Sequence, residues 1–86
     1  MNPITIGRIV NVVIKARYGR LVIRPAIIVR TWEVTDGGTV PDYINVQVFL
    51  DGSNDSESGE NIRWMTSIRH QPEGTEENTW HWPARA

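Results

Sequence analysis

Five side chains with complementary binding chemistry lie in or beside the strand-like segments of this 86-residue chain. They are two guanidinium groups, two aromatic rings and one amide, contributed by Arg30, Arg69, Phe49, Trp64 and Gln47. Aromatic faces stack on nucleobases, amides hydrogen-bond the edges of bases, and guanidinium groups hold phosphates in a bidentate manner. This set predicts a ligand-binding site for a small anionic molecule such as a nucleotide. The alternative is that these residues are solvated or form a protein interface.

Catalytic and metal-binding motifs are missing from the sequence. It contains no G-x-S-x-G, no P-loop and no G-x-G-x-x-G, and it has no Cys. The segment DGSNDSESGE, residues 51–60, loosely resembles a calcium loop, but Ser56 and Ile62 stand where that loop needs Gly and Glu. His70 and His81 lack a helical metal-ligand spacing. We therefore expect a protein that is not an enzyme and that uses no metal and no cofactor.

The C-terminal segment TWHWP places two of the four Trp residues within three positions. In an extended tail, Trp80 and Trp82 point the same way and His81 points to the other side. Such rings either complete a small core or form a ligand surface, since a small domain needs large side chains to close its core. We expect Trp80, His81 and Trp82, together with Trp32, to form a clasp that docks the tail on the sheet or on a neighbouring subunit.

Strand periodicity runs through most of the chain. The segments are rich in β-branched residues and show no sustained 3.6-residue apolar pattern. Pro25 cannot donate to a ladder, so it marks an edge, a bulge or a break. The sequence predicts strands at residues 5–14, 21–34, 43–50 and 61–68, with a turn at 15–20 and a loop at 35–42.

The third predicted strand has the clearest alternation. One side of it is apolar, and the other side carries a polar and aromatic row. The apolar side comprises Ile44, Val46, Val48 and Leu50, and the opposite row comprises Asn45, Gln47 and Phe49.

These elements predict an all-β fold in one domain covering residues 1–86. Several short strands separated by loops, without a helix, are typical of a small β-barrel or a curved antiparallel sheet of the SH3-like or OB-like kind. The polar segment 51–60 is expected to be a mobile acidic loop. Residues 69–86 show no period and are expected to be an irregular, Trp-rich tail.

Charge is distributed unevenly along the chain. Residues 1–32 carry a net charge of +6, residues 33–60 carry −7, and the remainder is neutral. Duplex DNA is disfavoured as a partner, because its phosphates would lie beside a large acidic segment. A thin core without disulfides and two complementary charged segments favour a homo-oligomer. No segment has the features of a signal peptide or the length of a membrane span, so we expect neither secretion nor a membrane partner.

The order of five segments resembles a family of short tailed-phage proteins. These segments are IGRIV, RPAIIVRTW, INVQVFLDG, WMTS and TWHWP, of which QVFLDG and WHWP are the most specific. The chain departs from the family at Asn11 and Val12, and by a shorter segment before its second strand. The resemblance implies a phage accessory protein or a prophage remnant, and we expect such a protein in the host cytoplasm. Such a protein could be a sponge that sequesters a host defence nucleotide, or an SH3-like module that binds a host or virion protein.

Overall fold

The computed structural model of the protein describes residues 4–32 and 43–84. Within these residues there are five strands and two short 3₁₀ turns, and no helix is long and apolar enough to cross a membrane. The strands are β1 (Ile9–Lys15), β2 (Leu21–Thr31), β3 (Ile44–Phe49), β4 (Ile62–His70) and β5 (Thr79–His81), and the turns are Arg17–Gly19 and Gly52–Asn54.

The strands form a closed barrel in the order β1-β2-β3-β4-β5. Strands β1 to β4 are an antiparallel meander, and β5 pairs antiparallel with β1 and parallel with β4. The prediction of an all-β barrel is confirmed. The antiparallel meander of β1 to β4 lacks the Greek-key connection of an OB-fold.

The core lies inside the barrel and follows strand alternation. Every second residue of β1 and β3 points inward, as the period of two requires, and β5 adds one Trp to these aliphatic side chains. The predicted apolar side of the third strand is therefore correct. The buried cluster consists of Val10, Val12, Ile14, Ala26, Ile28, Ile44, Val46, Val48, Leu50, Ile68 and Trp80.

Pro25 lies at the edge of the β2–β3 ladder. It is opposite Asn11 of β1, and the register between β2 and β3 begins one residue later, at Ala26. Proline is tolerated here because no residue of β3 is paired with Pro25 and needs the N–H that proline lacks. Of the alternatives given by the sequence, the edge position is the one observed, and β2 continues unbroken through it.

The C-terminal region is more regular than the sequence indicates. Arg69 and His70 extend β4, and residues 79–81 form β5, so the expectation of an irregular tail over 69–86 is wrong for these positions. A three-residue strand is too short to show a period, and only its pairing with β1 and β4 defines it. The first strand begins at Ile9 and not at residue 5, and β2 ends at Thr31. The predicted loop at 35–42 lies outside the described residues.

The acidic loop 51–60, expected to be unpacked and mobile, is instead packed at its centre. The side chain of Asp55 is fully buried, and its two carboxylate oxygens accept hydrogen bonds from Arg24 Nε at 2.6 Å and Arg24 Nη2 at 2.8 Å. Oδ2 also accepts the backbone N–H of Asp51 at 2.7 Å, and Arg17 Nη1 donates to the Ser53 carbonyl at 2.8 Å. The loop is therefore anchored by two basic residues from distant parts of the chain.

Candidate functional site

The candidate site is the outer surface of β3 and β4. Strand alternation places every second residue of each strand there, and the register sets Gln47 opposite Trp64 and Phe49 opposite Ile62. Cross-strand partners have Cβ atoms about 5 Å apart and interact directly. We call this surface the outer β3–β4 face, and it consists of Asn45, Gln47, Phe49, Ile62, Trp64 and Thr66.

Asn45 organises the polar end of the outer β3–β4 face. Its Oδ1 accepts three hydrogen bonds, from Trp32 Nε1 at 3.0 Å, from Thr66 Oγ1 at 2.8 Å and from the backbone N–H of Ser67 at 2.8 Å. The sequence predicts Asn45 in an outward row, yet only 7% of the residue is exposed. Asn45 is thus a structural amide that fixes its neighbours, and it does not point freely to solvent.

Two irregularities in the strand ladders explain why the Asn45 side chain is buried. The β2–β3 register shifts between Ile28 and Arg30, and the β3–β4 register shifts between Ile44 and Val46. Extra residues in a strand leave backbone groups unpaired and bend the sheet. Ser67 adopts a positive φ of 55°, and the Asn45 side chain accepts the N–H that the ladder leaves free. The role of Asn45 could not be predicted from the sequence, because no local pattern marks the two register shifts.

Arg30 and Trp32 form a stacked pair beside Asn45. The guanidinium carbon of Arg30 lies 3.9 Å from the centroid of the Trp32 ring. Stacking of a planar guanidinium on an aromatic face restrains it without using its N–H donors. Trp32, predicted to belong to the tail clasp, lies with the candidate site instead, because its indole N–H is bound to Asn45.

The other end of the outer β3–β4 face is apolar and exposed. Trp64 is 57% exposed, Ile62 53% and Phe49 39%. On the adjacent strand β2, Ile27 is the cross-strand partner of Gln47. A polar end with Arg30 and Trp32 thus adjoins an apolar end, and Gln47 and Trp64 lie between the two.

Four of the five predicted ligand-binding residues are brought together, and the fifth is not. Arg30, Gln47, Phe49 and Trp64 share the outer surface of β2, β3 and β4. Arg69 lies where β4 pairs with β5, opposite Thr79, and forms an ion pair with Glu76. It is therefore removed from the candidate site.

The two tail Trp residues dock on their own barrel. Trp80 is fully buried in the core. Its ring meets Trp82 edge to face at 5.3 Å between centroids and lies 4.4 Å from His70. Arg8 lies over Trp82 at 5.6 Å from the ring centroid. Trp80 thus completes the core of its own barrel, and Trp82 packs against that core.

His81 is held in a tight environment on the other side of β5. A Cβ atom added at Gly74 would approach His81 Cε1 to 2.7 Å, so the imidazole lies directly against the Gly74 backbone. Its Nδ1 is buried and has no hydrogen-bond partner within the described residues. Burial lowers the pKa of His81, and the neighbouring His70 lowers it further. His81 is therefore a packing residue that favours the neutral imidazole.

The chemistry available on the outer β3–β4 face is that of binding. Indole, carboxamide and guanidinium groups stack and donate hydrogen bonds, but they do not transfer protons near neutral pH. Across residues 4–32 and 43–84, no three His, Cys, Asp or Glu side chains are grouped to hold a metal ion.

Comparison with protein-family models, with curated proteins and with solved structures gives no significant match to this chain.

Proposed function

We propose that the protein is a non-catalytic binding protein that takes up a small anionic nucleotide on the outer β3–β4 face. The observation that carries this proposal is the adjacency of an exposed indole, Trp64, and an amide, Gln47, to the stacked Arg30–Trp32 pair. A base stacked on Trp64 would place its edge beside the Gln47 amide. Arg30 is opposite Asn45, which precedes Gln47 by two residues, or about 7 Å along the strand. That spacing suits the separation between a base and its phosphate.

The sequence resemblance supports a phage origin for this binding protein. A small β protein that sequesters a nucleotide signal made by the host needs no catalytic group, only affinity. We accordingly propose that it acts in the host cytoplasm as a sponge for a defence nucleotide, cyclic nucleotides being the class to test first.

The test is direct detection of a bound nucleotide. Protein purified from bacteria that make signalling nucleotides is heated, and the released material is analysed by chromatography and mass spectrometry. In parallel, calorimetric titration with a cyclic dinucleotide, a cyclic mononucleotide and AMP measures affinity. Trp64→Leu should weaken binding at least about fivefold, because base–aromatic stacking contributes about 1–3 kcal/mol.

Controls come from the same chain. Tyr18→Leu removes another highly exposed aromatic ring, 87% exposed and outside the outer β3–β4 face, and should leave affinity unchanged. Arg30→Gln should weaken binding of phosphorylated ligands and spare a nucleoside. If no nucleotide is released and none binds at millimolar concentration, the nucleotide proposal is wrong.

A second candidate function is an SH3-like protein-interaction or virion-structural module. The exposure of Phe49, Ile62 and Trp64 on one surface favours it, because aromatic residues dominate interface hot spots. In this case Ile62→Glu should abolish association with a defined partner recovered by the wild-type chain, and Ile23→Glu, on an exposed residue of β2, should retain it. Nucleotide titrations would then show no heat of binding.

A further inference from the structure

The outward edge of β4 has a backbone arrangement that is suited to pairing with another strand. Leu50 N donates to the Asn61 carbonyl at 2.7 Å, and Val48 is opposite Arg63. In an antiparallel ladder, hydrogen-bonded and non-hydrogen-bonded pairs alternate. The main-chain groups of Arg63 therefore face β3, whereas those of Ile62 and Trp64 point away from it.

Those groups do not meet another strand within the described part of the chain. On the side away from β3, β4 pairs with β5 only at Arg69 and His70. The first half of β4 is thus an edge in the part of the barrel that the structure describes. Natural edge strands are usually protected by Lys, Pro or a covering element, because bare apolar edges associate. Here the residues whose N–H and C=O groups face outward, Ile62 and Trp64, are also more than half exposed and apolar.

We propose that this edge pairs with the same edge of a second copy of the chain, forming a two-fold symmetric dimer with a sheet continuous across β4. A symmetric interface must be self-complementary. With the two-fold axis at Arg63, Ile62 of one copy is hydrogen-bonded to Trp64 of the other, and the reverse pair forms by symmetry. Cross-strand pairs of an aromatic and a β-branched residue are favourable.

The charges near the two-fold axis are balanced within each copy. The two Arg63 side chains meet near the axis, where like charges would repel each other. Each Arg63 is already paired with its own Glu60, Nη2 to Oε1 at 2.8 Å, and hydrogen bonding to Arg63 lowers the pKa of Glu60. The carboxylate therefore stays ionised at neutral pH and balances the guanidinium.

The interface is small, because a few residues on each copy contribute to it. Interfaces below about 1,200 Å² of total buried area are characteristically weak. The dimer is therefore expected to form in the micromolar range. Ile62 and Trp64 belong both to this interface and to the outer β3–β4 face, so the sedimentation and exchange measurements below are made without added nucleotide.

The experiment measures mass and amide exchange together. Sedimentation of the full chain from 5 μM to 1 mM should show a monomer–dimer equilibrium. In NMR-detected hydrogen exchange, the amides of Ile62 and Trp64 should become at least tenfold more protected at 1 mM than at 5 μM. The amide of Arg63, bonded within the barrel, should show no such dependence on concentration.

Two variants make the result specific. Ile62→Pro removes an N–H that points away from β3, so the barrel's own ladder is kept and the chain should stay monomeric at 1 mM. Ile23→Thr, at an exposed residue of β2, should dimerise like the wild type. Should Ile62→Pro fail to fold, Trp64→Glu serves instead, since it removes the apolar cross-strand pair. A wild-type chain that stays monomeric at 1 mM, or a dimer in which the Ile62 and Trp64 amides gain no protection, would overturn the proposal.

Discussion

The pair formed by Arg24 and Asp55 should contribute a large part of the stability of this barrel. The Asp55 side chain is fully buried and the Arg24 side chain is 26% exposed. Arg24→Met keeps most of the side-chain volume and leaves a carboxylate in the interior with a single remaining donor, the N–H of Asp51. Breaking a buried ion pair by removing one partner costs about 3–5 kcal/mol. For Arg24→Met we expect a loss at the lower end of this range, about 3 kcal/mol, because the arginine side chain is partly solvated.

A loss of about 3 kcal/mol corresponds to a fall in Tm of roughly 12–24 °C in a domain of this size. Thermal unfolding followed by Trp fluorescence measures it. Arg20→Met, in the same region but exposed, should shift Tm by a few degrees at most. The double variant Arg24→Met/Asp55→Asn should recover at least half of the loss, because the buried charge is gone and the amide oxygen still accepts the Asp51 N–H.

Acid titration gives an independent check of the same pair. Hydrogen bonding to Arg24 lowers the pKa of Asp55 below its usual 3.8, and the Asp51 N–H lowers it further. A carboxyl group with a depressed pKa contributes stability above its unfolded pKa and loses it as pH falls through the folded value. The difference between wild type and Arg24→Met should therefore be full at pH 7 and shrink below about pH 4. If Arg24→Met melted within 3 °C of wild type at pH 7, the pair would not anchor the loop.

Three further results are expected. Burial lowers the pKa of His81 below 6.5, so wild-type stability should fall as pH drops from 7 to 5, and His81→Gln should remove that dependence. Gly74→Ala should lower the free energy of unfolding, measured by chemical denaturation, by about 1–3 kcal/mol. The added Cβ would lie 2.7 Å from His81 Cε1, and residue 74 has a φ of +68°. Unchanged stability would mean that the imidazole can move. Trp80→Ala should lower the free energy of unfolding by about 3–5 kcal/mol, because the ring is fully buried. Trp64→Ala should lower it by less than about 0.5 kcal/mol, because that ring lies on the surface. Equal losses would contradict the assignment of Trp80 to the core and Trp64 to the surface.

The direction of the side chains in the regular strands follows from the sequence pattern alone. Alternation in INVQVF placed Ile44, Val46 and Val48 in the core, because a strand turns successive side chains to opposite faces whatever its neighbours are. The sequence also limited Pro25 to an edge, a bulge or a break, because a residue without an N–H cannot serve two neighbouring strands. Gln47 and Phe49 could be assigned to an outer surface on the same local grounds.

Which distant residues meet depends on the folded barrel and could not be predicted from the sequence. The alternation that correctly placed Gln47 outside also placed Asn45 there, but a shift in register on each side buries its amide among three donors. Asp55 lies in a polar run that predicts solvent, yet Arg24, 31 positions earlier in the chain, fixes it in the interior. Arg69 was grouped with the binding residues by its chemistry, and the pairing of β4 with β5 separates it from them. In each case the deciding contact joins segments that are distant in the chain, and these contacts depend on the whole barrel, which no local pattern encodes.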